Sequence, residues 1–97
     1  MEKHRMLVRV LPDGAILPLV GRECWCLGQL LEAGSRGCTP IERPAPRWSD
    51  YVFKLRRHGL VIETIHELHE GPYSGTHGRY VLHSQIEIVK ETGKSSW

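Results

Sequence analysis

Prolines limit how the middle of this chain can fold. Pro40, Pro44 and Pro46 stand within seven residues of one another, and a proline inside a helix removes a backbone hydrogen bond and clashes with the preceding turn. The residue before each proline is also biased away from helical geometry. A helix that follows must therefore begin near Pro46, which suits a first helical turn, and Gly59 suits its end. The pattern predicts a short helix over residues 47–58.

This predicted helix has two chemically different sides. Trp48, Val52 and Leu55 recur at i, i+4 and i+7, a spacing that is typical of the buried side of an amphipathic helix. Tyr51 joins them on a helical wheel. The opposite side and its flanks carry the polar and charged residues together with one phenylalanine: Arg47, Ser49, Asp50, Phe53, Lys54, Arg56 and Arg57.

The residues before the prolines predict a hairpin and two helices. Residues 6–20 alternate around the turn signal Pro12–Gly14. Apolar residues at helical spacing predict a helix over 22–33, in which Gly28 costs about 1 kcal/mol relative to alanine and suggests a close crossing by the next helix. Thr39–Glu42 has the pattern of a capping box, with a proline at the first helical position, and predicts the start of a short second helix.

The chain after Gly59 is rich in the β-branched residues that strands favour. Two strands, over residues 60–69 and 79–83, are predicted on either side of a glycine-rich loop. Ile86 and Ile88 are expected to extend or edge the same sheet. These strands and their loop form a hairpin directly behind the third predicted helix.

Together these elements predict one α+β domain over residues 1–89, followed by a flexible polar tail over 90–97. The domain is expected to contain an N-terminal β-hairpin within 6–20, three helices within 22–58, and a two- to three-stranded sheet within 60–89.

Charge is concentrated in the centre of the chain. Residues 36–58 carry six basic and two acidic side chains, a net charge of +4, whereas residues 1–35 sum to zero and residues 59–97 to −2. A basic segment between neutral and acidic ones favours a local contact with an anion over a generally adhesive surface.

Four segments carry a resemblance to a known family: Thr39–Ser49, Lys54–Gly59, Ile62–Thr64 and Gly78–Leu82. They resemble the small bacterial and prophage proteins described as winged-helix domains, a variant of the winged helix-turn-helix superfamily, over roughly residues 22–84. The resemblance implies a winged-helix fold, in which the third helix is presented to DNA and the C-terminal hairpin is the wing. It brings no catalytic or cofactor-binding residue with it.

The winged-helix arrangement assigns DNA contacts to the exposed side of the third helix and to the wing. On the helix, basic side chains can bond guanine or phosphate, and Phe53 can contact a thymine methyl group. Asp50 repels phosphate, so it is expected to accept from a cytosine amino group or to orient Arg47 or Lys54. The predicted contacts are Arg47, Ser49, Asp50, Phe53, Lys54, Arg56 and Arg57 on the helix, with His77 and Arg79 on the wing.

Simpler interpretations exist for the same residues. The helical charges can be a solvated surface, and Phe53 can pack against the N-terminal hairpin or a partner chain. The wing can be an ordinary hairpin whose glycines satisfy the backbone.

Other functional classes have weak support in the sequence. His66 and His69 would point to opposite faces of a strand, and the three cysteines lack both the spacing and the fourth ligand of a structural zinc site. They are expected to be reduced thiols of a cytoplasmic protein. No apolar run is long enough to cross a membrane, and neither an enzyme nor a cofactor is expected.

The sequence therefore predicts a non-catalytic protein that binds duplex DNA, as a transcriptional regulator or a mobile-element accessory protein. A homodimer is compatible with it, because one small module usually needs a partner to reach operator-level affinity. The alternative is a winged-helix module for protein–protein interaction within a larger assembly.

Overall fold

Strands form both ends of the described part of the chain, and two α-helices lie between them. The computed structural model describes residues 3–69 and 75–93. In chain order its elements are β1 (Arg5–Val10), β2 (Ile16–Val20), α1 (Arg22–Ala33), α2 (Trp48–Arg57), β3 (Ile62–His69), β4 (Gly75–Leu82) and β5 (Ile86–Thr92), with a 3₁₀ turn over Gly34–Arg36 after α1. The predicted α+β class is confirmed.

β1 lies in the middle of an antiparallel sheet with the order β2-β1-β5, and its hairpin with β2 is the predicted one. The prediction that Ile86 and Ile88 extend the sheet of residues 60–83 is wrong. They belong to β5 and lie opposite Val10 and Val8 of β1, while β3 and β4 form a separate two-stranded sheet. The outer edge of β4 is already occupied, because Cys38 exchanges two backbone hydrogen bonds with Tyr80, at 3.0 and 2.9 Å.

The domain ends later than the predicted boundary at residue 89. Lys90 of β5 lies opposite Leu7 and Thr92 opposite Arg5, so the first three residues of the predicted tail form backbone pairs with β1. Residues 94–97, which include Trp97, lie outside the described residues.

Two α-helices are found in the described residues where three were predicted, because the capping box begins a single turn. The hydroxyl of Thr39 accepts the backbone N–H of Glu42 at 3.0 Å, and its carbonyl accepts the N–H of Arg43 at 3.0 Å. The next donor in a helical series would be residue 44, which is a proline and has no N–H. The second helix is therefore replaced by a proline-interrupted turn over residues 39–46, called the proline turn below.

The inner face of the β2-β1-β5 sheet carries Met6, Val8 and Leu19, which form one core with both helices. The helical side chains of this core are Cys24, Cys26, Leu27, Leu30, Trp48, Tyr51, Val52 and Leu55. Neither helix of the described residues has the length and apolarity that a membrane crossing requires.

Aromatic rings join α2 to both neighbouring layers. Trp48 stacks on Tyr80 of β4 with ring centroids 5.7 Å apart and planes at 10°. Trp25 on α1 forms an edge-type pair with Trp48, with ring centroids 5.5 Å apart and planes at 61°. The Nε1–H of Trp48 also donates to the carbonyl of Arg43 at 2.7 Å. One buried side chain thus connects the turn, both helices and β4.

Two glycines have opposite structural demands. Gly37 lies between the 3₁₀ turn and Cys38 with a φ of +69°, and a Cβ there would approach the carbonyl oxygen of Tyr80 to 2.6 Å. The close helix crossing expected at Gly28 is wrong, since a Cβ at that position meets no atom within 4 Å.

We expect Gly37→Ala to lower the free energy of unfolding by at least about 2 kcal/mol, because the side chain adds strain and displaces β4. Gly28→Ala is the matched control and should raise it by up to about 1 kcal/mol, the gain in helix propensity. Urea denaturation of the two variants measures both values. Equal stability of the two variants would contradict the close approach at Gly37.

Candidate nucleic-acid interface

α2 turns one side to the core and the other to solvent. Trp48, Tyr51, Val52 and Leu55 are buried, so the side predicted from the sequence period is confirmed. Asp50 is half-buried, and the remaining predicted helical contacts are exposed: Arg47, Ser49, Phe53, Lys54, Arg56 and Arg57.

Phe53 lies at the centre of this exposed side with 57% of its surface accessible. The Phe53 ring is not part of the core cluster to which the hairpin residues Met6, Val8 and Leu19 belong. The guanidinium carbon of Arg57, one turn later, lies 5.9 Å from the centroid of its ring. Such a cation–π contact holds a charged donor beside an apolar surface. In the major groove, guanine acceptors complement the charged donor and thymine methyl groups complement the apolar surface.

Asp50 pairs with Lys54 along the helix, with the carboxylate oxygen 3.5 Å from Nζ. The spacing is i, i+4, at which opposite charges stabilise a helix by a few tenths of a kcal/mol. Of the roles expected for Asp50, orientation of Lys54 is the one that matches this geometry.

Arg56 is turned toward β3, although it follows the exposed side in sequence. Its guanidinium donates twice to the carbonyl of Ile62, at 2.5 and 3.1 Å, and once to the hydroxyl of Thr64, at 2.9 Å. These bonds attach the last turn of α2 to the first residues of the wing. Arg56 therefore positions the wing relative to α2.

The two predicted contacts on the wing belong to an ion-pair cluster. Arg79 donates to Glu67 on the neighbouring strand at 2.7 Å and to Glu42 of the proline turn at 3.1 Å. Nε2 of His77 lies 3.1 Å from the other oxygen of Glu67. The cluster ties the wing to the turn before α2, so Arg79 and His77 are engaged inside the protein.

The cluster shifts the ionisation of its strongest pair. The hydrogen bond from Arg79 lowers the pKa of Glu67, with a smaller contribution from His77. The bond to Glu67 in turn raises the pKa of Arg79. Both groups are therefore held in their charged forms.

Sequence reasoning missed two exposed residues of the wing, His66 and Leu68. They alternate with Glu67 along β3 and share the sheet face of Thr64 and Tyr80, which contact α2. Leu68 has 85% of its surface accessible. The alternation of side chains along a strand places both residues on that face, and this signal was available in the sequence. Part of the predicted loop, residues 70–74, lies outside the described residues.

The cysteines are core residues rather than reactive groups. Cys24, Cys26 and Cys38 are buried, and burial raises the pKa of all three thiols, that of Cys24 to about 11. A protonated thiol is a poor nucleophile and a poor metal ligand. Within residues 3–69 and 75–93, no three His, Cys, Asp or Glu side chains come together as a metal site.

We expect Arg56→Ala to lower the free energy of unfolding by about 1 kcal/mol, because three hydrogen bonds to β3 are lost from a partly solvated site. Arg57→Ala, its sequence neighbour on the exposed side, is the control and should change stability by less than about 0.5 kcal/mol. Chemical denaturation compares the two. Equal effects would show that Arg56 does not anchor the wing.

The Glu67 cluster predicts a specific acid sensitivity. Because the folded pKa of Glu67 lies below its ordinary value of 4.5, the carboxylate stabilises the fold above that pH, and the contribution is lost as the pH falls through the folded pKa. The stability difference between the wild type and Glu67→Gln should therefore shrink as the pH falls through the folded pKa of Glu67. Denaturation curves at a series of pH values measure it, and parallel profiles throughout would contradict the prediction.

Comparison with known proteins agrees with this geometry. Residues 16–92 match the family model of a winged helix domain, a range that includes α1, the proline turn, α2 and the β3–β4 hairpin. Neither the curated proteins nor the solved structures yield a significant match. Winged helix domains are in general DNA-binding or regulatory modules, and the β3–β4 hairpin is here the wing. The chain belongs to the winged helix domain family.

Proposed function

We propose that this chain binds duplex DNA without catalysis, as a transcriptional regulator or a mobile-element accessory protein. α2 enters the major groove, and the wing lies along the sugar–phosphate backbone. The observation that carries the proposal is the exposed side of α2, which presents the accessible ring of Phe53 together with the cations Arg47, Lys54 and Arg57.

The dimensions of α2 suit a groove. A helix with its side chains is about 10–12 Å wide and the major groove of B-DNA is about 12 Å wide. The buried side of α2 is held by Trp48 and Leu55 in the core. The exposed side chains can therefore meet DNA on a helix that need not reorganise, which lowers the entropic cost of binding.

The exposed residues divide by chemistry into phosphate contacts and base contacts. Arg47 and Lys54 are phosphate ligands, with Asp50 orienting the lysine. Arg57 is suited to a guanine and Phe53 to a neighbouring thymine methyl, because the guanidinium already lies against the ring. Ser49 can donate to either a base or a phosphate.

Three of the residues first assigned to DNA have a positioning role in this proposal. Arg56 links α2 to β3, Arg79 links the wing to Glu42 of the proline turn, and His77 pairs with Glu67 within the wing. The wing is thus held beside α2 before DNA arrives. Its contact with the backbone falls to exposed groups such as His66.

We expect duplexes selected from a random pool to bind with an affinity that falls about 12-fold between 50 and 200 mM salt, the slope for the two phosphates neutralised by Arg47 and Lys54. Lys54→Ala with Arg57→Ala should weaken binding at least tenfold, about 1.4 kcal/mol, with little loss of stability. Fluorescence anisotropy on labelled duplexes measures both effects.

The matched control is Arg5→Ala with Lys90→Ala, which removes the same two charges from β1 and β5 and should leave DNA affinity nearly unchanged. Phe53→Ala should relax the preference for thymine in the selected duplexes while binding persists. Two copies of one motif about 10 bp apart would indicate a dimer. Binding that ignores salt, or equal losses in both double variants, would refute α2 as the DNA-binding surface.

A further inference from the structure

We propose that the outer face of the β2-β1-β5 sheet docks a protein segment in which carboxylates alternate with apolar side chains. This face is turned away from the core formed by Met6, Val8 and Leu19. The strand period and the cross-strand register define its members: Arg5, Leu7, Arg9, Ile16, Pro18, Val20, Glu87, Lys90 and Thr92.

The centre of this outer face is apolar although it is in contact with solvent. An antiparallel sheet with one face on the core usually presents polar side chains on the other. Here Leu7, Ile16 and Val20 keep 37%, 44% and 36% of their surfaces accessible. They are contiguous, because Leu7 lies opposite Pro18 and the flanking pairs are Arg5–Val20 and Arg9–Ile16. Contiguous exposed apolar patches on small proteins often mark interaction sites.

Cations surround this apolar centre. Arg9 is matched by Glu87 at 3.1 Å, whereas Arg5 and Lys90 form no ion pair with any carboxylate of the described residues. Both cations line a shallow depression of about 220 Å³ whose floor includes Leu7, Pro18 and Val20. An apolar side chain fits the floor, and a carboxylate on either side of it would meet a cation.

The chemistry of the outer face favours an acidic protein partner. A DNA duplex would cover Leu7, Ile16 and Val20 with phosphates and sugars, which offers those side chains no apolar contact. A second copy related by two-fold symmetry would bring the same patch against itself and gather the cations of both copies in one interface. An apolar core with a complementary charged rim is the usual composition of a protein interface.

A library of displayed random 12-residue peptides, selected on the full chain, tests the proposal. We expect the enriched peptides to carry at least two carboxylates among aliphatic or aromatic residues. Arg5→Glu with Lys90→Glu should weaken the best synthetic peptide at least tenfold, and Lys54→Glu with Arg57→Glu on α2 should leave it unchanged. Amide chemical shifts should change in β1, β2 and β5 and stay constant in α2.

Circular dichroism checks that each variant is folded, and Arg5→Gln with Lys90→Gln replaces the charge reversal if it is not. Three results would overturn the proposal. These are a selection without enrichment, equal peptide affinity for the wild type and for the variant changed at Arg5 and Lys90 (the β1–β5 variant), and chemical-shift changes confined to α2. Two others would overturn it in favour of another occupant. These are a dimer in sedimentation that Leu7→Asp abolishes, and binding to phosphatidylglycerol vesicles that the β1–β5 variant abolishes.

Discussion

The buried indole of Trp48 holds together the segments on which this domain depends. Its N–H closes the proline turn on the carbonyl of Arg43, and its ring stacks on Tyr80 in the wing. Trp48 is also the first residue of α2. The turn before the helix, the start of the helix and the hairpin after it are thus set by a single side chain, whose polar atom is satisfied and whose apolar surface is buried.

The basic residues near this junction fall into two groups: those that hydrogen-bond within the protein and those that are exposed on α2. Arg56 and Arg57 are neighbours in sequence, yet a helix turns about 100° per residue, so one reaches the carbonyl of Ile62 and the other lies over Phe53. Arg79 likewise pairs with Glu67 on the neighbouring strand and with Glu42 of the proline turn. A basic helix next to a hairpin therefore presents fewer available charges than its sequence suggests, and each has a more defined place.

Features that depend on local chemistry were predictable. The helix over residues 47–58 is found as Trp48–Arg57, because prolines and a glycine restrict the backbone at its ends and the apolar period marks its buried side. The prediction of a second helix was wrong for an equally local reason. The cap at Thr39 forms, but Pro44 has no N–H with which the helix could continue. The partner of β5 was not predictable, because pairing with β1 joins residues about 80 positions apart and sequence does not state which sheet edge is free.

Local sequence thus sets which segments are helices, strands and turns, and which side of each is apolar, because those properties follow from neighbouring residues. The surfaces come from the tertiary structure. The net charge of residues 1–35 is zero and indicates no cationic surface there. Arg5 and Lys90 nevertheless line the same depression, because β5 pairs with β1. Conversely, Arg79 and His77 appear free in sequence and are paired in space. Charge acts over distances of a few ångströms, and only the packed chain decides which groups come that close.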